Sequence, residues 1–379
     1  MNVYERLFAA LSVAQGKRPD KVPNHFVSMR PLFMRIVEEN LEIKDEDEVW
    51  DGPYDLTIAK VIGAESIKCG PGFTNHPMVK MPEDYLVEKN IPREEWPSYA
   101  INAWGMIHKR EVKLKDEFSN WYIDGIITDN EKFNQFKPLM EQITIQGDDS
   151  FSTFKKFAEM AIQKGICPIP AVGGPFTTTI EATGWSGFAR SARKNPGLLA
   201  KIAEIQTEKA VELIKATMRK TGIKIFHMPD DIAMKNNVIL TPKLMEEVFY
   251  PFFERYSEAA HEEHGKIFLH TDGFVEPLIK YFVEMGYDGV QCLESAAGVD
   301  IHRVKMEWGD KLCLIGNVDC NRDLFYLKPE EMKEKAKNMV ESLKEGGGYI
   351  FGPSSTIYGS MPLENVLAAV DGWREAREY

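Results

Sequence analysis

The chain has little cysteine, five residues in 379, and fewer basic than acidic side chains, 46 Lys and Arg against 58 Asp and Glu. The cysteines (Cys69, Cys167, Cys292, Cys313 and Cys320) are odd in number and scattered, with no C-x-x-C pair. That pattern argues against a disulfide framework and a structural zinc knuckle, and implies free thiols in a reducing compartment. A net charge of −12 leaves no basic excess, so neither nucleic acid nor an anionic membrane is the expected partner. No apolar run is long enough to span a bilayer. The opening Met1-Asn2-Val3-Tyr4-Glu5-Arg6 lacks the regions of a signal peptide, and a cytoplasmic location is expected. No G-x-G-x-x-G follows a strand, which takes weight from a dinucleotide-binding sheet. Repeats and low-complexity segments are absent.

What is present is an ordinary globular composition, 44% apolar and 27% charged. The second half alternates strand and helix. Asn195-Pro196 opens a helix, with Asn as N-cap and Pro at the first helical position, and Gly222 stops it. Strand 223–227 follows, then a helix from Thr241 towards Gly265 that Pro251 should kink. Strand 266–270, helix 274–285, strand 289–293, helix 301–308, strand 312–316, helix 329–344, strand 349–351 and a closing helix from Pro362 complete the series. The strands are short and apolar on both faces, as in a parallel sheet covered by helices. This many βα units fit a closed (β/α)8 TIM barrel with an N-terminal elaboration, one domain over residues 1–379. Strands are also expected over 22–28, 64–69 and 166–172, and a helix over 151–164. Residues 71–136, with Trp96, Trp104 and Trp121, are expected to form an insertion or lid over the barrel mouth.

In such a barrel, catalytic groups lie just past the C-terminal strand ends. Those ends carry Asn24 and His25; Gly173-Gly174-Pro175-Phe176; His227, Asp230 and Asp231; His270 and Asp272; Cys292 and Glu294; Asn317, Asp319 and Cys320; Ser354 and Ser355. Burying such groups unpaired is costly, and hydrogen bonding to neighbouring loops explains any one of them more easily than the whole set. His270, Asp272 and Glu294 form the sharpest group. Neighbouring parallel strands lie about 4.8 Å apart, so the three side chains can converge. One imidazole and two carboxylates suit zinc with an open position; the bland alternative is a hydrogen-bonded His–Asp pair with no metal. His261-Glu-Glu-His264 is not H-E-x-x-H and sits at a helix end, where the dipole favours His. Cys69, Cys167 and Cys313 read as core residues.

Taken in order, Gly173-Gly-Pro-Phe176, Asp230-Asp231, His270-x-Asp272-Gly273, Gly316-Asn-Val-Asp319, Gly346-Gly-Gly348 and Glu364-Asn365-Val366 resemble the uroporphyrinogen decarboxylase superfamily over residues 150–375. The resemblance implies either a decarboxylase or a corrinoid-dependent methyltransferase. The decarboxylase branch follows its first strand with an arginine-rich motif for a substrate of many carboxylates. Here that stretch is His25-Phe-Val-Ser-Met-Arg30, with one arginine, and a polyanion needs several guanidinium donors. The thiol-using methyltransferases carry His-x-Cys, then Glu, then Cys. His270 and Glu294 match, Asp272 replaces the first Cys, and Ser354 or Ser355 stands near the last.

A harder His/Asp/Glu set suits polarising oxygen better than binding a thiol. The resemblance therefore implies transfer of a methyl group from a small donor, with a methoxylated aromatic expected, to the cobalt of a corrinoid. His270, Asp272, Glu294 and Asp231 are the expected catalytic residues, the first three also as zinc ligands. His25, Phe176, Trp185, Asp230, Asn317, Asp319, Ser354 and Tyr358 are expected to contact substrate, with Phe176, Trp185 and Tyr358 walling a flat apolar pocket. Each of these three is also open to plain packing. A corrinoid-binding protein is the expected partner, with a homodimer left open. The rival readings are a lyase using Asp231 or Asp272, a methylcobamide:thiol methyltransferase, and a binding protein that has lost catalysis.

Overall fold

The computed structural model describes residues 1–44, 48–49, 56–70, 72–113 and 117–379. Seven parallel strands and one extended segment form a closed ring. The strands are β1 (Ser66–Cys69), β2 (Cys167–Pro170), β3 (Ile225–Pro229), β4 (Lys266–Thr271), β5 (Gly289–Cys292), β6 (Cys313–Val318) and β7 (Tyr349–Pro353). β3 to β7 lie side by side in chain order, and β1 pairs with β2. Val172 N donates to His227 O at 3.1 Å and joins β2 to β3.

Extended residues 23–29 supply the eighth stave. Phe26 N donates to Ser66 O at 2.9 Å on the β1 side, and His25 N donates to Phe351 O at 2.8 Å on the β7 side. Close approach here requires Gly352, because a Cβ at that position would lie 2.1 Å from His25 O. The result is a (β/α)8 barrel.

Alternation along the strands sorts the side chains into two cores. Most large apolar residues face outward, where the helices cover them in one extended cluster. Inside the barrel, Ile169, Ile225, Phe268, Ile315 and Ile350 pack against Val3, Leu7, Ala10 and Leu11. Helix Val3–Ala10, held by a capping box between Asn2 and Glu5, thus plugs the N-terminal end of the barrel. With that end sealed and apolar, the interior becomes polar towards the opposite end.

The alternation read from sequence is present, with local departures. Helix 241–265 is two helices, Pro242–Val248 and Tyr250–Glu262, broken at Phe249 just before Pro251. Asn195 does not cap with its side chain; Pro196 alone starts helix Pro196–Thr221, which ends at Gly222 with φ +78°. Residues 274–285 hold a short 3-10 turn and helix Ile279–Glu284.

The expected 71–136 insertion includes 71 and 114–116, which lie outside the described residues. Around them runs an antiparallel meander of Tyr99–Ile101, Met106–Lys113 and Glu117–Gly125. It packs on helix Pro175–Lys194: Ile127 N donates to Ala182 O at 3.0 Å and Tyr122 OH to Ile180 O at 3.5 Å. That helix leaves β2 at the mouth, so the meander stands at the same end as the candidate site. No helix among the described residues is long and apolar enough to cross a membrane.

Candidate active site at the barrel mouth

β3 ends at Pro229, which has no N–H to continue a ladder. The chain instead uses Asp230 N, which donates to His270 O at 2.8 Å, and turns outward so that Asp231 rises over the mouth. His270, next to last in β4, faces inward, and Asp272 lies just past the strand's end. Ligand atoms of Asp231, His270 and Asp272 all fall within 4.8 Å of one another. His270 Nε2 is 3.5 Å from Asp272 Oδ1, and Asp231 Oδ1 accepts from Asp272 N at 3.1 Å. The Cys292 thiol donates to Asp272 Oδ1 at 3.2 Å.

Crowding sets the electrostatics. Surrounding protein pushes the Asp231 carboxyl above its ordinary range; His270 and Lys68 pull it back, and the Asp272 charge adds to the rise. Glu181, on helix Pro175–Lys194, is raised by burial and by Asp231. Lys68, half-buried on β1, is lowered by burial and by Arg30, while Asp231 supports its charge. The mouth therefore sets Lys68 and Arg30 against Asp231, Asp272 and Glu181.

Below the mouth the barrel holds imidazoles. His227 lies 5.8 Å from His270 and 5.6 Å from His25 between ring centroids, and it stacks on Phe268 at 4.6 Å. His25 Nδ1 bonds to Ser66 Oγ at 3.0 Å. His25 Nε2 and both His227 nitrogens are buried without a partner among the described residues. Burial, Lys68 and His270 hold His25 down at about 3, so it is neutral. His25 is thus a neutral ring on the floor of the mouth.

Several expected site residues make hydrogen bonds that hold the strand ends and loops. Glu294 is not in the metal-type cluster. Cys292 (φ +96°) and Leu293 (φ +50°) turn the chain after β5, and Glu294 accepts from Gly273 N at 3.1 Å and Asn321 Nδ2 at 3.2 Å. Asp231 takes its place as third member. Asp230 is buried and accepts from Phe176 N at 3.0 Å and Thr177 N at 2.5 Å, capping helix Pro175–Lys194 from outside its own chain segment. Gly174 leaves room for that carboxylate; its Cβ would sit 2.2 Å from Asp230 Oδ2.

Asp319 is buried and accepts from Asn321 N, Arg322 N and Ser295 Oγ. Asn317 donates to Leu293 O at 3.0 Å and borders an outer groove with Arg322 and Lys335. Ser354 Oγ accepts from Cys320 N at 3.2 Å. These polar groups knit strand ends together, as buried polar groups must.

The expected apolar wall is also redistributed. Phe176 is core, in ring contact with Phe188 and Phe249. Trp185 is exposed beside the kink at Gly184, and Tyr358 lies under the Arg30 guanidinium at 5.9 Å. An apolar cavity of about 320 Å³ is found elsewhere, between the barrel wall and helix Pro196–Thr221, lined by Phe73, Trp104, Leu213 and Phe226. Phe226 faces it while the adjacent His227 faces the barrel interior, so this cavity lies outside the ring. The five cysteines are free and buried. His261 pairs with Asp288 at 3.0 Å, a local ion-pair position and not a metal site.

Sequence reasoning missed two mouth residues, Lys68 and Gln291. Each is a polar residue at the inward position of a short buried strand; that pattern was the available signal.

A closed barrel with an imidazole and two carboxylates at its C-terminal mouth defines a TIM-barrel enzyme scaffold with an oxygen-rich site. Residues 127–376 match uroporphyrinogen decarboxylase (URO-D), and the chain belongs to this family. Among solved structures, a methyltransferase from Methanosarcina mazei is similar over 99% of both chains, with a TM-score of 0.64 and 19% identity. Among curated proteins, uroporphyrinogen decarboxylase of Pseudoalteromonas atlantica is 32% identical over 73 residues, 19% of this chain and 20% of that one. Uroporphyrinogen decarboxylase of Coxiella burnetii is 27% identical over 144 residues, 35% and 36% of the two chains. The chain thus spans between a fifth and just over a third of the length of these curated relatives.

Proposed function

We propose that the chain is a methyltransferase that moves a methyl group from a small donor at the barrel mouth to the cobalt of a corrinoid carried by a partner protein. A methoxylated aromatic compound is the donor class. The observation that carries this reading is the Asp231–His270–Asp272 cluster, oxygen-rich where the thiol-using relatives place cysteine. The M. mazei methyltransferase, alike over the whole chain, supports the reading at the level of fold.

The cluster fits zinc. It offers one nitrogen and two carboxylates, with ligand atoms within 4.8 Å of one another. Asp231, His270 and Asp272 would hold the ion, and a bound zinc would polarise the donor's ether oxygen. The chain's own groups do the rest. Asp231 fixes Asp272 through its backbone N–H, and the Cys292 thiol holds the Asp272 carboxylate from below. Lys68, its ammonium weakened by burial, can give the departing oxygen a proton. In the reaction the methyl–oxygen bond would break with its electron pair left on oxygen, and a reduced corrinoid on the partner would supply the pair for the new bond.

A second reading rests on Lys68 and Arg30, which together could seat a single carboxylate of a substrate to be decarboxylated. The test is purified full-length protein with reduced cobalamin and a panel of methoxyarenes, followed by methylcobalamin absorbance. Methylcobalamin with at least one donor is expected. No methylcobalamin with any donor, together with CO₂ from a carboxylated substrate, would overturn methyl transfer in favour of the lyase.

A further inference from the structure

Gln291 on β5 is the register partner of His270 on β4 and is fully buried. Its amide nitrogen donates to two carbonyls, Pro353 O at 3.0 Å and Ser354 O at 3.1 Å. A carboxamide has two N–H bonds, and both are used. Turning the amide over would set its oxygen against two carbonyl oxygens with no proton between them. The orientation is therefore fixed by β7, and Oε1 is left facing His270, where it meets Nδ1. An amide oxygen only accepts, so Nδ1 carries the proton. In the neutral ring the lone pair is then at Nε2, the atom 3.5 Å from Asp272 Oδ1. A lone pair and two carboxylates facing one another repel unless a proton or a metal cation sits among them, and the three groups have the composition of a metal site.

We infer that Gln291 is a positioning residue: held by the Pro353 and Ser354 carbonyls, it locks His270 in the Nδ1–H tautomer and so presents Nε2 as a donor to a divalent cation at the mouth. The inference rests on the reading of the Asp231–His270–Asp272 cluster as a cation site. The same logic holds wherever a ligating His gives its other N–H to a fixed acceptor, and loss of such an acceptor weakens metal binding by about 10–100-fold.

The experiment uses the metal-free full-length chain with ¹⁵N-labelled histidine, His270→Ala to assign the signal, and alkaline pH to keep the ring neutral. Two-bond ¹H–¹⁵N correlations report the tautomer directly. The wild type is expected to show Nδ1–H. Gln291→Leu removes the acceptor, so the tautomer is released and zinc affinity, read by competition with a chromophoric chelator, falls about 10–100-fold. Gln291→Glu keeps an acceptor oxygen towards Nδ1–H whatever its own charge, and is expected to retain the tautomer. An Nε2–H tautomer in the wild type overturns the inference, as does a folded Gln291→Leu that binds zinc as tightly as the wild type. If Gln291→Leu does not fold, the wild-type tautomer and Gln291→Glu decide. The tautomer is read without metal or methyl donor, so failure of methyl transfer leaves it standing.

Discussion

Asp230 offers the sharpest test of the electrostatics around the mouth. Its carboxyl is fully buried and two backbone N–H groups of helix Pro175–Lys194 point at it. These effects oppose one another. The N–H groups favour the carboxylate, burial favours the acid, and burial wins, lifting the carboxyl from an ordinary value near 3.8 to about 7. A carboxyl raised on folding holds its proton in the native state while the unfolded chain has already lost it. Stability is therefore greatest below the unfolded value and falls as pH climbs towards 7, by about 1.4 kcal/mol per pH unit. Between pH 5 and pH 7 that is about 2 kcal/mol, because the slope flattens as the folded carboxyl itself ionises near 7.

Asp230→Asn keeps an acceptor oxygen for the helix N-terminus and cannot ionise. Its stability should stay level over the same window, so the variant gains on the wild type as pH rises. Urea melts of both proteins, followed by circular dichroism at pH 5, 6 and 7, measure the difference. Parallel curves would refute the reasoning: the N–H groups would then outweigh burial, and Asp230 would be an ordinary charged cap.

Metal analysis of protein purified with zinc separates the cluster from its sequence-based version. Asp231→Asn and His270→Ala should lose the ion while Glu294→Gln keeps it; the reverse pattern would return Glu294 to the site. The five cysteines are buried, and burial pushes Cys292 well up and Cys320 to about 11. The native protein should therefore resist iodoacetamide at pH 8, with all five modified after unfolding, as mass spectrometry would show. Phe176→Ala should cost about 3–5 kcal/mol in a denaturant melt, because it empties a site among Phe188 and Phe249. It should leave substrate affinity untouched in whatever fraction folds.

The barrel was legible because its signals are local and repeated. Apolar strands of four to six residues and helices opened by proline at 196, 242 and 329 can each be read without knowing their neighbours. The first stave was harder. Residues 23–29 are held by isolated bridges to β1 and β7, contacts that depend on strands far away in sequence. The same limit explains Asn195. Its identity and place before Pro196 suit a cap, but the backbone there takes φ −153°, ψ 60°, and its side chain makes no cap bond.

Asp231, His270 and Asp272 were all legible as catalytic residues; what was not legible is which carboxylate joins His270 and Asp272 in the metal-type cluster. His270 and Asp272 are set by one strand and its period of two, and the cluster holds both. Glu294 was assigned by strand adjacency, which assumes that β5 runs straight through its end. Two residues with positive φ break that assumption, and left-handed backbone at non-glycine positions has no reliable sequence signal. Asp231 enters for the complementary reason. It follows a proline that ends β3 and an aspartate already committed to a helix N-terminus, so the second of two adjacent carboxylates is the one free to face the mouth. Adjacent acids in a sequence look interchangeable; here backbone hydrogen bonds to Phe176 and Thr177 divide them into a cap and a ligand. Exchanging the two roles would require helix Pro175–Lys194 to begin elsewhere, which Gly174 and Pro175 do not allow.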